Sequence, residues 1–208
     1  MSLAYKISAF NRRRKYQIFL KKIKPQKRES ILDVGFNNIE YSENDNYLEK
    51  NYPYPEKISA LGLGSGKEFA RRYPLVKTYT YAGDEFPFPK NKFNIVWSNA
   101  VLEHVGNTEK QIEFLKEVRR TGKRAFITTP NKNFPFEIHT RVPLLHFLPK
   151  NIFDAYLRLI GKSWATGDYM NLLTEKKLRY ILRKANIKNY RIIKNKLLSF
   201  TLDFIIIS

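Results

Sequence analysis

The feature that most constrains this chain is an alternation. Short apolar runs stop at glycine or a polar residue, and stretches of helical periodicity separate them. Ser30-Ile31-Leu32-Asp33-Val34-Gly35 is one such run; Lys57-Ile58-Ser59-Ala60-Leu61, closing on Gly62-Leu63-Gly64-Ser65-Gly66, is another. Phe93-Asn94-Ile95-Val96-Trp97 and residues 124–129 repeat the pattern, and 76–82 is rich in the Thr and Tyr that suit strands. Between them, Ile112, Leu115 and Val118 predict a helix over 108–120, and 67–73 reads as a shorter one. Alternation of this kind predicts a parallel sheet covered on both faces. In such sheets ligands bind outside the carboxyl ends of the strands. Residues 35–38, 62–66, 83–85, 98–100 and 129–131 are therefore expected to line one rim.

The flanks are helical. Tyr16, Phe19, Leu20 and Ile23 form one apolar stripe that ends at Pro25. Phe153, Tyr156, Leu157 and Ile160 form a second, with Asn151 expected as N-cap and Gly161 just past the end. Leu178, Ile181, Leu182 and Ala185 form a third behind Thr174. Residues 190–194 and 202–207 read as two paired strands.

Charge is placed at the ends. Residues 1–28 carry +10 and residues 174–196 carry +8 of a net +19, whereas 29–173 carry only +2. Such ends suit phosphate-bearing partners, either a polyanion or an anionic membrane surface. The absence of Cys excludes a disulfide framework and a Cys-based zinc site, and no compact metal-ligand spacing appears. The N-terminus is charged where a signal peptide needs an apolar run, and no stretch is long enough to span a bilayer; a cytoplasmic protein is expected.

From about residue 30 to 150 the order of segments resembles the class I S-adenosylmethionine (SAM) methyltransferases, in particular their broad small-molecule group. The likeness is sharpest in Gly83-Asp84-Glu85-Phe86-Pro87-Phe88, then Phe93-Asn94-Ile95-Val96-Trp97-Ser98-Asn99-Ala100-Val101-Leu102-Glu103-His104. Thr129-Pro130-Asn131 and Glu137-x-His139-Thr140 also resemble the stretch after the family's fifth strand. The resemblance implies an α/β, Rossmann-like fold with a mostly parallel seven-stranded sheet and an antiparallel C-terminal strand. It implies one domain over 1–208, with a basic N-terminal helix in 1–28 and a lid or substrate insertion in 132–172.

By the same resemblance SAM is the cofactor and a small-molecule or glycan-like compound the methyl acceptor. Asp33, Gly35 and Asn37 would belong to the cofactor loop and Gly62 and Leu63 to the end of strand two. Asp84 would accept from the adenine amino group beside Glu85, and Asn99 and Ala100 would lie under the methionine end. His139 is the candidate general base, an imidazole being suited to that work near neutral pH. Glu103 and His104 are expected on a packing helix.

The sequence departs from the family twice. The loop reads Gly35-Phe36-Asn37-Asn38 rather than alternating glycines; asparagine tolerates left-handed dihedrals better than other non-glycine residues, so the turn is expected to survive. Gly62 stands where the ribose-binding acid belongs, so Gly62→Asp is expected to tighten cofactor binding. A rival register makes 58–66 the cofactor loop and Asp84 the ribose acid, but only eight residues then separate Asp84 from the strand at 93. Two other functions remain: a binding protein of this fold that has lost SAM, and a nucleic-acid methyltransferase. Against the second, Ser98-Asn99-Ala100-Val101 carries no Asn-Pro-Pro or Asp-Pro-Pro base-flipping signature.

Overall fold

β1 (Ile31–Val34) is buried at all four positions, as a strand with neighbours on both sides must be. It runs parallel to β2 (Ile58–Leu63) on one side and to β4 (Phe93–Asn99) on the other, with Asp33 in register with Ala60 and Trp97. β2 also pairs parallel with β3 (Lys77–Tyr81). With β5 (Gly122–Pro130), β8 (Arg191–Leu197) and β9 (Phe200–Ile207) the sheet order is β3-β2-β1-β4-β5-β9-β8. Only two residues join β8 to β9, so these strands form an antiparallel hairpin. The expected α/β sheet of seven strands, with its antiparallel C-terminal element, is present. This computed structural model describes residues 3–137, 142–167 and 170–208.

The chain divides into two compact units. The first holds residues 1–99 and 117–127 with Ile207; the second holds 100–116 and 128–206 with Ser208. In the first, α1 (Leu3–Ile23) buries the stripe read from the sequence: Tyr16, Phe19 and Ile23 are all buried. Phe19 packs edge-on against Trp97 (ring centroids 4.9 Å) and Phe126 (5.4 Å), and those two rings stack on each other at 5.0 Å. The basic helix is thus a core element, and Lys15 lies on its buried face at 4% exposure. Two short helices complete the unit, α2 (Tyr47–Asn51) and α3 (Lys67–Arg72).

In the second unit, α6 (Glu175–Lys184) starts where the sequence placed it, with the Thr174 side chain accepting from the Lys177 N–H. α5 (Lys150–Leu159) does not start at its expected cap. Pro149 holds the cap position, so Asn151 is the second helical residue. Phe153, Leu157 and Ala165 form a small apolar cluster under it. β6 (Phe136–Glu137) and β7 (Val142–Pro143) pair antiparallel. The helix expected to carry Glu103 and His104 is instead a single 3-10 turn, Leu102–His104. Gly106, at φ 108°, breaks the backbone before α4 (Thr108–Thr121) can begin.

Candidate functional site

β1 ends on Gly35, whose φ of 102° turns the chain and whose N–H still donates to Leu61 at 2.8 Å. The next residue, Phe36, turns inward. Its ring packs on Phe69 of α3 (centroids 4.3 Å), and a Cβ added at Gly62 would meet three of its ring carbons at 2.6–2.9 Å. The two departures from the family pattern are therefore one packing event. Phe36 fills the space beside the end of β2, and only glycine leaves room for it there. The expectation that Gly62→Asp alone tightens binding is overturned, because the new side chain and the ring claim the same volume.

The tolerance of Asn37 and Asn38 for left-handed backbone is not used. Neither takes a left-handed dihedral; Gly35 and Asn46 do. Both backbone groups of Asn37 are engaged by the Asn46 side chain, its N–H donating to Oδ1 and its carbonyl accepting from Nδ2. Asn38 Oδ1 accepts from the N–H groups of Glu68 and Phe69 and so caps the start of α3.

Asp33 is buried at the heart of this loop beside Glu49, also buried. Burial pushes the Asp33 carboxyl well up, and the charge of Glu49 pushes the same way, while Arg12 of α1 opposes. Burial raises Glu49 too. Asp33 thus faces Glu49 of α2 and Arg12 of α1 from inside β1.

The outer rim of this unit is open. Leu63 is 63% exposed and lies 3.6 Å from the position of a Cβ on Gly83, where β2 and β3 end together. Asp84 and Glu85 are exposed on the loop that follows. That loop is clamped by α4: the Phe86 N–H donates to Glu117, and Arg120 donates to the Phe86 and Phe88 carbonyls and pairs with Glu85 at 3.6 Å. Burial pushes Glu117 up, but the bonds from Arg120 and the Phe86 N–H outweigh it and hold the carboxyl below its ordinary value. Burial, then the nearby Asp84 charge, raises the Tyr81 phenol. Asn99 closes β4 in this unit. The clamp was not legible in the sequence, since Glu117 and Arg120 read as ordinary solvent-facing charges of an amphipathic helix.

In the second unit Ala100 has φ 60° and donates its N–H to Thr128. Glu103 is fully buried and accepts from the Thr129 hydroxyl at 3.0 Å, and its carbonyl accepts from the Asn171 N–H. It braces the packing there. His139 lies outside the described residues.

The sheet order and the rim at the carboxyl ends of β1 to β4 define the class I methyltransferase fold. Residues 57–125 match the methyltransferase domain family. Solved structures agree over nearly the whole length. A SAM-dependent methyltransferase from Methanosarcina mazei superposes with a TM-score of 0.56 at 17% identity, covering 90% of this chain and 95% of that one. One from Aquifex aeolicus gives 0.54 at 15% identity, covering 96% of each. The [4+2]-cyclase SpnF gives 0.54 at 15%, covering 88% of this chain and 57% of that one. No curated protein matches the sequence. By fold over its length the chain is similar to class I SAM-dependent methyltransferases, and its residues 57–125 match the methyltransferase domain family; SAM is the cofactor that this similarity points to.

The residues present fit that cofactor at its adenine end. An exposed Leu63 offers an apolar face, and Asp84 offers an acceptor for an exocyclic amine. At the end of β2, the space that a side chain on Gly62 would need is taken by the Phe36 ring.

Proposed function

We propose that the chain is a SAM-dependent methyltransferase acting on a small-molecule or glycan-like acceptor. The observation that carries this reading is the coincidence of two things: the family match spans 57–125, and that span contains both the open Leu63–Asp84 rim and the clamp that holds it. When bound, SAM supplies a methyl group on a sulfonium, open to in-line attack by a nucleophile. The protein's part is positioning. Leu63 covers the adenine face, Asp84 accepts its amino proton, Glu85 flanks it under the hold of Arg120, and Gly35 and Asn99 border the methionine end. His139 is the candidate base for an acceptor whose nucleophile must lose a proton. In this reading the chain works as one catalytic domain in the cytoplasm, with 132–172 as its acceptor-side insertion.

Calorimetric titration with SAM and S-adenosylhomocysteine tests the proposal. Binding at micromolar affinity or weaker is expected, since Gly62 stands where the ribose-binding acid belongs. Asp84→Ala should weaken it by roughly 1–3 kcal/mol, the range for a hydrogen bond to a charged group, while the apo melting temperature moves little. A large loss of apo stability with unchanged affinity makes Asp84 a loop anchor instead.

The filled space at Gly62 favours a second reading, a protein of this fold that no longer uses SAM. SpnF, named as a cyclase, shows that relatives by fold carry out other chemistry. Flat titrations up to millimolar SAM would decide for it.

A further inference from the structure

In the second unit α5 is apolar on two opposite sides. Phe153 and Leu157 face inward and pack with Ala165, Leu145 and Tyr156. Ile152, Ala155 and Leu159, at i, i+3 and i+7, make a second stripe on the far side. That stripe is open: Ile152 is 50% exposed, Leu159 is 84% exposed, and Ala155 is exposed between them. A helix with one side in the core ordinarily carries polar residues on the side that faces water. The wet side of α5 is aliphatic instead. The chain leading into it continues the pattern, with Leu144 and Leu148 both exposed. Leu144 takes φ 59°, backbone that glycine or asparagine adopts at less cost, so a leucine stands outward where turn chemistry favours a small or polar residue.

The charge shown to solvent around this stripe has one sign. Over 144–163 the acid is Asp154, and it is buried, where it accepts from the Gly167 N–H and pairs with Lys150. Arg158 is exposed beside the stripe. The first turns of α5 and α6 line one cavity through Lys150 and Lys177, and α6 lies in the segment 174–196 with its net +8. On α6 the exposed Lys176, Arg179, Arg183 and Lys184 follow helical spacing down one side. The acid of that segment, Glu175, already holds Arg179 and Lys194.

Three kinds of partner compete for such a face, and charge and area separate them. A second copy of this chain brings its own +8 segment and the rest of a net +19, so like charges oppose pairing through α5. The five exposed side chains offer on the order of a few hundred Å², below the roughly 800 Å² per partner of a stable protein interface. A nucleic acid satisfies the cations and leaves the aliphatic side chains in water. A bilayer surface rich in anionic lipid satisfies both. Its headgroups meet the cations, and each aliphatic side chain that enters the boundary beneath them adds its own share.

We propose that α5 is an interfacial membrane helix, which lies on anionic bilayers with Ile152, Ala155 and Leu159 inserted among the headgroups. The proposal stands apart from the methyl-transfer reading, and neither needs the other.

The sequence has no Cys, so one introduced thiol takes a label at a single place. Leu159→Cys carrying a polarity-sensitive fluorophore should shift to the blue when phosphatidylcholine vesicles doped with phosphatidylglycerol are added at low salt. Undoped vesicles and RNA should leave it unchanged. The same label on Glu68→Cys, exposed on α3, should report water throughout. Ile152→Gln with Leu159→Gln should weaken co-sedimentation with the doped vesicles by at least about tenfold, because the aliphatic insertion is gone. The melting temperature should hold, since both side chains face water, and affinity for RNA should be the same in both proteins. Equal co-sedimentation of parent and double variant means that charge acts alone, and overturns the proposal. A label at position 159 that stays in water on bound vesicles, or that shifts with RNA instead, overturns it too. So does a failure to bind doped vesicles at low salt. A dimer that the double variant dissolves, without vesicle binding by the parent, assigns the face to a second copy instead.

Discussion

At the scale of single residues, Phe36 and Gly62 explain each other, and this makes their substitutions non-additive. Gly62→Asp brings a Cβ to 2.6 Å from the Phe36 ring, closer than carbon atoms pack, so the ring or the strand must shift. The single variant is expected to lower the melting temperature and leave SAM affinity unimproved. Phe36→Gly alone opens a cavity against Phe69 and should cost about 3–5 kcal/mol, the range for truncating a buried aromatic. The double variant clears the ring and supplies the acid, and should bind SAM more tightly than the parent. Melting curves and SAM titrations of all four proteins form a double-mutant cycle. A coupling energy near zero would sink this account. The sequence showed both departures plainly, an aromatic residue where a glycine belongs and a glycine where an acid belongs. That they are a single packing event was hidden, because 26 positions separate them and only the parallel pairing of β1 with β2 brings them together.

At the scale of elements, most of the sheet was legible because its strands are apolar runs closed by glycine, and α1 because its stripe keeps helical spacing. What was lost follows from local chemistry. The turn at Leu102–His104 looked like part of a helix by composition, yet the positive φ of Gly106 ends it. Asn151 looked like a cap, but Pro149 has no N–H to satisfy and took the position. The charge of α1 was legible as a total and misleading as a surface. Lys15 lies on the buried face, and the charge of Arg12 is felt by Asp33. Arg13 and Lys21 are exposed and Lys22 likewise, and these carry whatever attraction to polyanions the helix has. Changing Arg13, Lys21 and Lys22 to Gln should weaken binding to anionic vesicles or RNA at low salt while SAM affinity stays put. In the parent this binding should fade by roughly 0.3 M salt, where screening shortens the reach of surface charge. Co-sedimentation across a salt series is the readout, and indifference to polyanions at every salt would leave the charge of α1 without a partner.

At the scale of the whole molecule, the raised carboxyl of Asp33 sets one limb of the response of stability to pH. An acid whose carboxyl is raised on folding binds its proton more tightly folded than unfolded, so the native state gains from that proton when the unfolded chain has released its own. This stability is complete below the ordinary Asp value of 3.8 and is lost as pH climbs through the raised value of the folded state. Glu117 and Glu40 have the opposite sign. Both are held below the ordinary Glu value of 4.5 against the pull of burial, Glu117 by Arg120 and the Phe86 N–H, Glu40 by Tyr73, Lys50 and Asn46, so their contribution is lost as pH falls through their lowered values. The two limbs slope in opposite directions, so they oppose each other as pH changes. Asp33→Asn keeps the shape while removing the proton that is lost. The variant should therefore melt close to the parent at mildly acidic pH and above it at alkaline pH, flattening that limb of the curve. Thermal melts of both proteins across the pH range give the comparison directly. A parent whose stability rises steadily from mildly acidic to alkaline pH, or a variant that falls in parallel with it, would mean that Asp33 does not hold the proton.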